Sequence, residues 1–236
     1  MDWGAGVLTL EGLHLRQDDF ALRADWSVPA GARVAVLGPS GAGRSTLLGA
    51  IAGFVPVDAG RITWDGRDVT GVPPAQRPVA MLFQDGNLFP HLSVARNVGL
   101  GIRPDLRLSR DDRARVAASL DRVGLSGMDD RMPRTLSGGQ QSRVALARVL
   151  AQRRPLLLLD EPFAALGPAL RAEMLGLVAA LCDETGATLM MVSHAPEDAR
   201  RIAGSVVMVD DGEAEPPVDV ATAFDAPSDR MRAYLG

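Results

Sequence analysis

The sequence predicts an α/β protein built on a mostly parallel β-sheet flanked by helices, and three observations carry that prediction. Short, strongly apolar runs of strand length recur at 33–37, 79–83, 156–159, 188–192 and 205–209. Helical patterns separate several of them, at 45–53, 168–183 and 196–203, and such alternation is the mark of parallel strands joined by crossover helices. From Ser93 to about Leu150 the pattern is helical throughout, with no strand, which points to a helical lobe set into the chain.

Short β-like runs open the chain at 7–10 and 20–28, and the turn Pro29-Ala30-Gly31 leads into the strand at 33–37. A glycine-rich loop follows, then the helix at 45–53 and a strand at 60–65 that ends in an Asp65-Gly66 turn. Ser109 with Asp112 three residues on resembles an N-capping pair for a helix reaching Val123 and stopped by Gly124. The tail from Pro216 holds two short helical stretches, and there is neither an internal repeat nor a low-complexity segment.

At 236 residues and 47% hydrophobic, the chain can bury a substantial core. A net charge of −4 gives no general attraction to nucleic acid or anionic lipid, so any phosphate binding must be local and no nucleic-acid partner is expected. All 25 basic residues are arginine. The lone Cys182 reads as a packed thiol in a helix, consistent with a reducing cytosol. The start, Met1-Asp2-Trp3-Gly4, lacks the basic-then-apolar pattern of a secretory signal, and the aliphatic runs are far shorter than the roughly 20 residues of a membrane span. Service to a membrane would be from the side.

Gly38-Pro39-Ser40-Gly41-Ala42-Gly43-Arg44-Ser45-Thr46 lies between a buried strand and a helix start, the context a phosphate-binding loop requires. Glycines let the backbone curl so that its N–H groups converge on phosphate oxygens, and the helix N-terminus adds partial positive charge. Ser45 would offer its hydroxyl to Mg²⁺ and Thr46 its hydroxyl to the phosphate tail; the alternative is a glycine-rich turn without a ligand. The motif expects lysine where Arg44 stands, and a planar guanidinium does not thread to the phosphates as an ammonium does. Nucleotide binding is expected to survive this change, with hydrolysis slowed.

The run Leu156-Leu157-Leu158-Leu159-Asp160-Glu161 delivers two carboxylates from the end of a buried strand, Asp160 for Mg²⁺ and Glu161 as base toward water. Alone it is equally a buried strand with polar edge residues. Leu136-Ser137-Gly138-Gly139-Gln140 begins a helix reaching Leu150. Ser137 and Gln140 stand in a capping-box relation, and the paired glycines leave backbone N–H groups bare for an anion.

A phosphate loop, then LSGGQ, then LLLLDE is the order found in ABC-transporter nucleotide-binding domains, and the chain resembles that family over nearly its whole length. The resemblance implies a P-loop NTPase core with an N-terminal antiparallel β subdomain and an inserted α-helical subdomain. Residues 1–92 and 152–236 would form the core and 93–151 the helical part. It implies a homodimer in which Ser137, Gly138, Gly139 and Gln140 of one subunit close over ATP and Mg²⁺ held by the other. Gln84 matches the glutamine that meets Mg²⁺ or the lytic water, and His194 the histidine that contacts the γ-phosphate; a lone histidine is more often structural, and its place after a strand end favours function. The stretch 85–92 matches the place where an integral-membrane permease docks, although Leu88 and Phe89 could equally be core. A periplasmic solute-binding protein is implied indirectly, and a location on the cytoplasmic face of the bacterial inner membrane.

Three departures accompany this resemblance. Gly167 stands where the family has an aspartate in Ala164-Ala165-Leu166-Gly167. Phe20 is the candidate ring beneath adenine, with a core role equally open and His14 or Gln17 as weaker substitutes. Ser142 replaces a glutamine while Arg143 is retained. The segments MLFQDGNLFPHLSVARNVGLG, LDEPFAALGPALRAEM and MVSHAPEDARRIA are similar to the ATPases of bacterial thiamine importers, which implies thiamine or a thiamine phosphate as cargo, with other small solutes open. Two alternatives differ in class: a nucleotide-binding module with impaired turnover because of Arg44 and Gly167, and a soluble ATPase acting on DNA or ribosomes.

Overall fold

The computed structural model describes residues 3–17, 20–84 and 88–236. Its strands are β1 (Leu8–Gln17), β2 (Phe20–Val28), β3 (Arg33–Leu37), β4 (Ala59–Trp64), β5 (Arg67–Asp68), β6 (Val79–Leu82), β7 (Leu156–Asp160), β8 (Thr188–Val192), β9 (Ser205–Asp210), β10 (Glu213–Ala214) and β11 (Val218–Asp219). Its helices are α1 (Arg44–Ala52), α2 (Val94–Gly99), α3 (Arg110–Arg122), α4 (Gly138–Gln152), α5 (Pro168–Thr185), α6 (Pro196–Ile202), α7 (Val220–Asp225) and α8 (Asp229–Leu235). Strands β6, β7, β8, β3 and β9 run parallel, in that order across the sheet. β1, β2, β4 and β5 pair antiparallel beside them.

The parallel strands are apolar on both faces because helices cover both, and β7 and β8 are buried at every position. The antiparallel β2 instead alternates buried and exposed residues from Ala21 to Val28, as a sheet with one wet face must. β1 is longer than its sequence pattern because a register shift between Leu10 and Leu13, around Gly12 at φ 52°, interrupts the alternation. The two-residue strands β10 and β11 are too short to leave any periodic signal.

One apolar cluster packs α2, α3, α4 and α5 with one face of the parallel sheet; a second fills the space between the antiparallel strands, α1 and the other face. Ser109 caps α3 in a full capping box with Asp112, and Gly124 beyond it takes φ 69°. Cys182 is buried in the first cluster, and burial pushes its thiol up to about 11. Among the described residues no helix is long and apolar enough to cross a membrane.

Candidate functional site

The loop 38–43 leaves β3 and turns directly into α1, so the first turn of that helix points its N–H groups into the loop. Two glycines are required by their surroundings. A Cβ on Gly38 would fall 2.0 Å from the carbonyl oxygen of Val209, and one on Gly43, at φ 99°, would fall 2.2 Å from Phe20 Cζ. Phe20 therefore presses its ring on the loop itself, partly buried against the second cluster. His14 is exposed on β1, and the side chain of Gln17 lies outside the described residues.

Three segments far apart in sequence, 44–45, 160–161 and 193–194, meet at the C-terminal ends of β3, β7 and β8, where crossover topology opens a crevice. Ser45 Oγ donates to Asp160 Oδ1 at 2.9 Å. Asp160 is 9% exposed, and burial raises its carboxyl above the usual range, opposed by the Ser45 hydrogen bond. Glu161 sits in the left-handed region at φ 43°, its N–H donating to Val192 O at 3.2 Å, so the strand end twists its carboxylate toward the loop. Arg44 is 7% exposed and bridges the other stations: Nη1 donates to Ser193 O at 2.8 Å and Nη2 to Glu161 Oε1 at 3.1 Å. His194 Nδ1 lies 3.5 Å from Glu161 Oε2.

The tip of α4 is organised differently. Ser137 Oγ accepts from Gln140 N at 3.3 Å and Gln140 Oε1 accepts from Ser137 N at 3.0 Å, so the cap is satisfied by itself. The two glycines separate in role. A Cβ on Gly139 would meet Leu170 Cδ2 at 2.3 Å, so this glycine lets α4 pack on α5, whereas Gly138 faces open space. Among the described residues no hydrogen bond or ion pair joins 137–140 to the loop 38–46. Gln84 is exposed and opens on a cleft shared with Gly138, Ser142, Pro162 and Ala165. Asp85, Gly86 and Asn87 lie outside the described residues. Of their neighbours, Leu88 packs on the first cluster while Phe89 is 45% exposed with its ring edge-on to His91.

Several supporting residues escaped the sequence reading. Ser193 Oγ is held by Asp198 at 2.7 Å, and Arg171 Nη2 reaches both Asp198 and Ser193, which fixes the loop carrying His194. Asn97, fully buried, accepts from Phe89 N and donates to the carbonyls of Phe89, Leu92 and Ser93, tying the loop after β6 to α2. Arg77, 2% exposed, donates to the carbonyls of Ala50 and Ile51 at the end of α1 and to those of Thr70 and Val72. An isolated polar letter reads as surface, and only Asp198, an acidic residue in a first helical turn, gave any local hint.

A glycine cradle at a helix start, with a hydroxyl against one strand-end carboxylate and a cation against the next, defines a P-loop ATPase. The chain belongs to the ABC transporter family, whose model matches residues 22–164. It is an ATP-binding member of that family and an ATPase. It is 58% identical to the thiamine import ATP-binding protein ThiQ of Cereibacter sphaeroides over 98% of this chain and 100% of that one. It is 57% identical to the protein of that name from a Ruegeria species, with 98% and 100% covered. Among solved structures, the dimeric post-hydrolysis ATP-binding cassette MJ0796 with ADP and Pi superimposes with a TM-score of 0.77 at 28% identity, covering 90% of this chain and 98% of that. The ADP conformation of the cassette MJ1267 matches in fold, with a TM-score of 0.87 at 22% identity over 99% and 100%.

Proposed function

We propose that this chain is the ATPase subunit of a thiamine importer, acting as a homodimer under an integral-membrane permease at the cytoplasmic face of the bacterial inner membrane. The observation that carries the chemical part is the meeting of Arg44, Ser45, Asp160, Glu161 and His194 in one crevice. The cargo rests on the similarity to proteins named for thiamine import. Those names also favour a working ATPase over a module that only binds nucleotide.

In this reading residues 1–92 and 152–236 act as the core and 93–151 as the helical part that carries the dimer contact. Gly38, Pro39, Ser40, Gly41, Ala42 and Gly43 cradle the phosphates, with Arg44 and Thr46 beside them. Ser45 Oγ and Asp160 Oδ1, 2.9 Å apart, are paired hard oxygens that suit Mg²⁺, with Gln84 as a further oxygen donor. Among the described residues no three or more His, Cys, Asp or Glu are arranged to hold a metal ion by themselves, so most ligands would be phosphate and water, as Mg²⁺ prefers. Held there, Mg²⁺ would neutralise phosphate charge.

Glu161 accepts a proton from the attacking water as its oxygen bonds to the γ-phosphorus and the bond to the ADP oxygen breaks. For this Glu161 must give up Arg44, whose guanidinium turns from the carboxylate to the phosphates. His194, whose Nδ1 lies 3.5 Å from Glu161 Oε2, holds the γ-phosphoryl group beside that carboxylate, and the second subunit closes the site with the Ser137 hydroxyl and the bare helix-tip N–H of Gly138. Exposed Phe89, pinned at its backbone by Asn97, gives the permease an apolar foothold within 85–92. A periplasmic solute-binding protein would act through the permease.

The test is assembly of the chain with a thiamine-importer permease in proteoliposomes. The account expects ATP hydrolysis stimulated by thiamine and its binding protein; stimulation by another solute and none by thiamine would reassign the cargo, and no permease association would sink the transport role.

A further inference from the structure

The last helix of the chain reaches back to the catalytic loop. Tyr234, the single tyrosine of the sequence, donates from its hydroxyl to the backbone carbonyl of His194 at 3.1 Å, across 40 positions. We propose that Tyr234 is a positioning residue for hydrolysis: carried on α8, it pins the backbone of His194 and thereby sets the imidazole against Glu161 and the γ-phosphate. The inference rests on the role given to His194 above.

The contacts around this loop make the pin informative. Ser193 is held from every side, by Arg44 at its carbonyl and by Asp198 and Arg171 at its hydroxyl, while its N–H donates to Val36 O at 3.3 Å. His194 follows with its side chain half exposed and 3.5 Å from Glu161 Oε2, and Tyr234 is the side chain that holds its carbonyl. α8 is itself a firm mount. Ser228 caps it, accepting from Met231 N at 3.2 Å, and Met231 is buried with Leu37, Met208 and Phe224 in a third apolar cluster on which the Tyr234 ring also packs. Arg230 pairs with Glu213 at 2.8 Å and Glu215 at 3.2 Å, anchoring the helix to β10 and the residue that follows it. Leu37 is the last residue before the phosphate loop, so one cluster supports both that loop and the tail helix. The Tyr234 hydroxyl is a proton donor at neutral pH by its ordinary chemistry, and burial only raises it further.

The full chain is compared as four proteins: unaltered, Tyr234→Phe, His194→Ala, and both together, by phosphate release at varied MgATP and by thermal melting. Tyr234→Phe keeps the packed ring and removes one hydrogen bond, so kcat should fall about five-fold with KM and melting temperature unchanged. In the His194→Ala background the same change should have no further effect. Unchanged kcat in Tyr234→Phe, a loss seen in KM or melting temperature instead, or an equal further loss without His194 would each overturn the proposal. If His194→Ala alone leaves kcat intact, the reading of His194 fails and the proposal falls with it, an outcome distinct from a failure of Tyr234 alone.

Discussion

The phosphate-loop crevice and the tip of α4 are both candidate contacts for one nucleotide, yet they are built in opposite ways. In the crevice, groups from α1, the end of β7 and the loop after β8 are cross-connected: Ser45 to Asp160, Arg44 to the Glu161 carboxylate and to the Ser193 carbonyl. At the α4 tip, Ser137 and Gln140 bond to each other, Gln140 Nε2 reaches only as far as Met128 Sδ within the helical part, and Gly138 faces open space. A site wired internally can bind on its own, whereas a satisfied, exposed cap contributes only when something is brought to it. The chain thus carries one finished half and one presented half.

Breaking the finished half should cost most. Glu161→Gln removes the proposed base without removing the cradle, so phosphate release should drop roughly 10²- to 10⁴-fold in a steady-state assay while ATP affinity stays. Arg77→Met strips the buried cation from four carbonyls around the end of α1 and should destabilise the fold by about 3 kcal/mol in urea unfolding, leaving the α4 tip untouched. Arg44→Lys sharpens the comparison, since a flexible ammonium leaves Glu161 and Ser193 more easily than a doubly engaged guanidinium. Turnover should rise roughly ten-fold, and equal rates would end the idea that Arg44 slows hydrolysis. The smallest effect is expected at Gly167, the N-cap of α5, where no side chain caps the helix and a Cβ meets nothing within 4 Å. Gly167→Asp should stabilise by about 0.3 kcal/mol, read as a small upward shift of melting temperature.

Much of the frame was legible because its signals are periodic. The β2 strand and β8 fall where alternation and a short apolar run place them, and the Ser109 and Ser137 caps are written as residue pairs three apart. The motif stations were legible because a strand end or helix start fixes where their side chains go. What stayed hidden lacks local pattern. β1 hides its second half behind a bulge, and Arg77 and Asn97 are single polar letters whose partners are backbone carbonyls chosen by the tertiary fold. The division between Gly138 and Gly139 depends on Leu170, a residue of the next helix. Tyr234 lies in a tail that reads only as a short helix.

In the proposed dimer, one chain's phosphate loop is completed by another chain's α4 tip. The most direct measurement of this completion is the solution mass of the Glu161→Gln chain with MgATP, compared with the same chain carrying Ser137→Arg. The account predicts a mass that doubles with ATP in the first and stays monomeric in the second, which still binds one ATP per chain. A Ser137→Arg chain that dimerises on ATP as readily as its parent would contradict it.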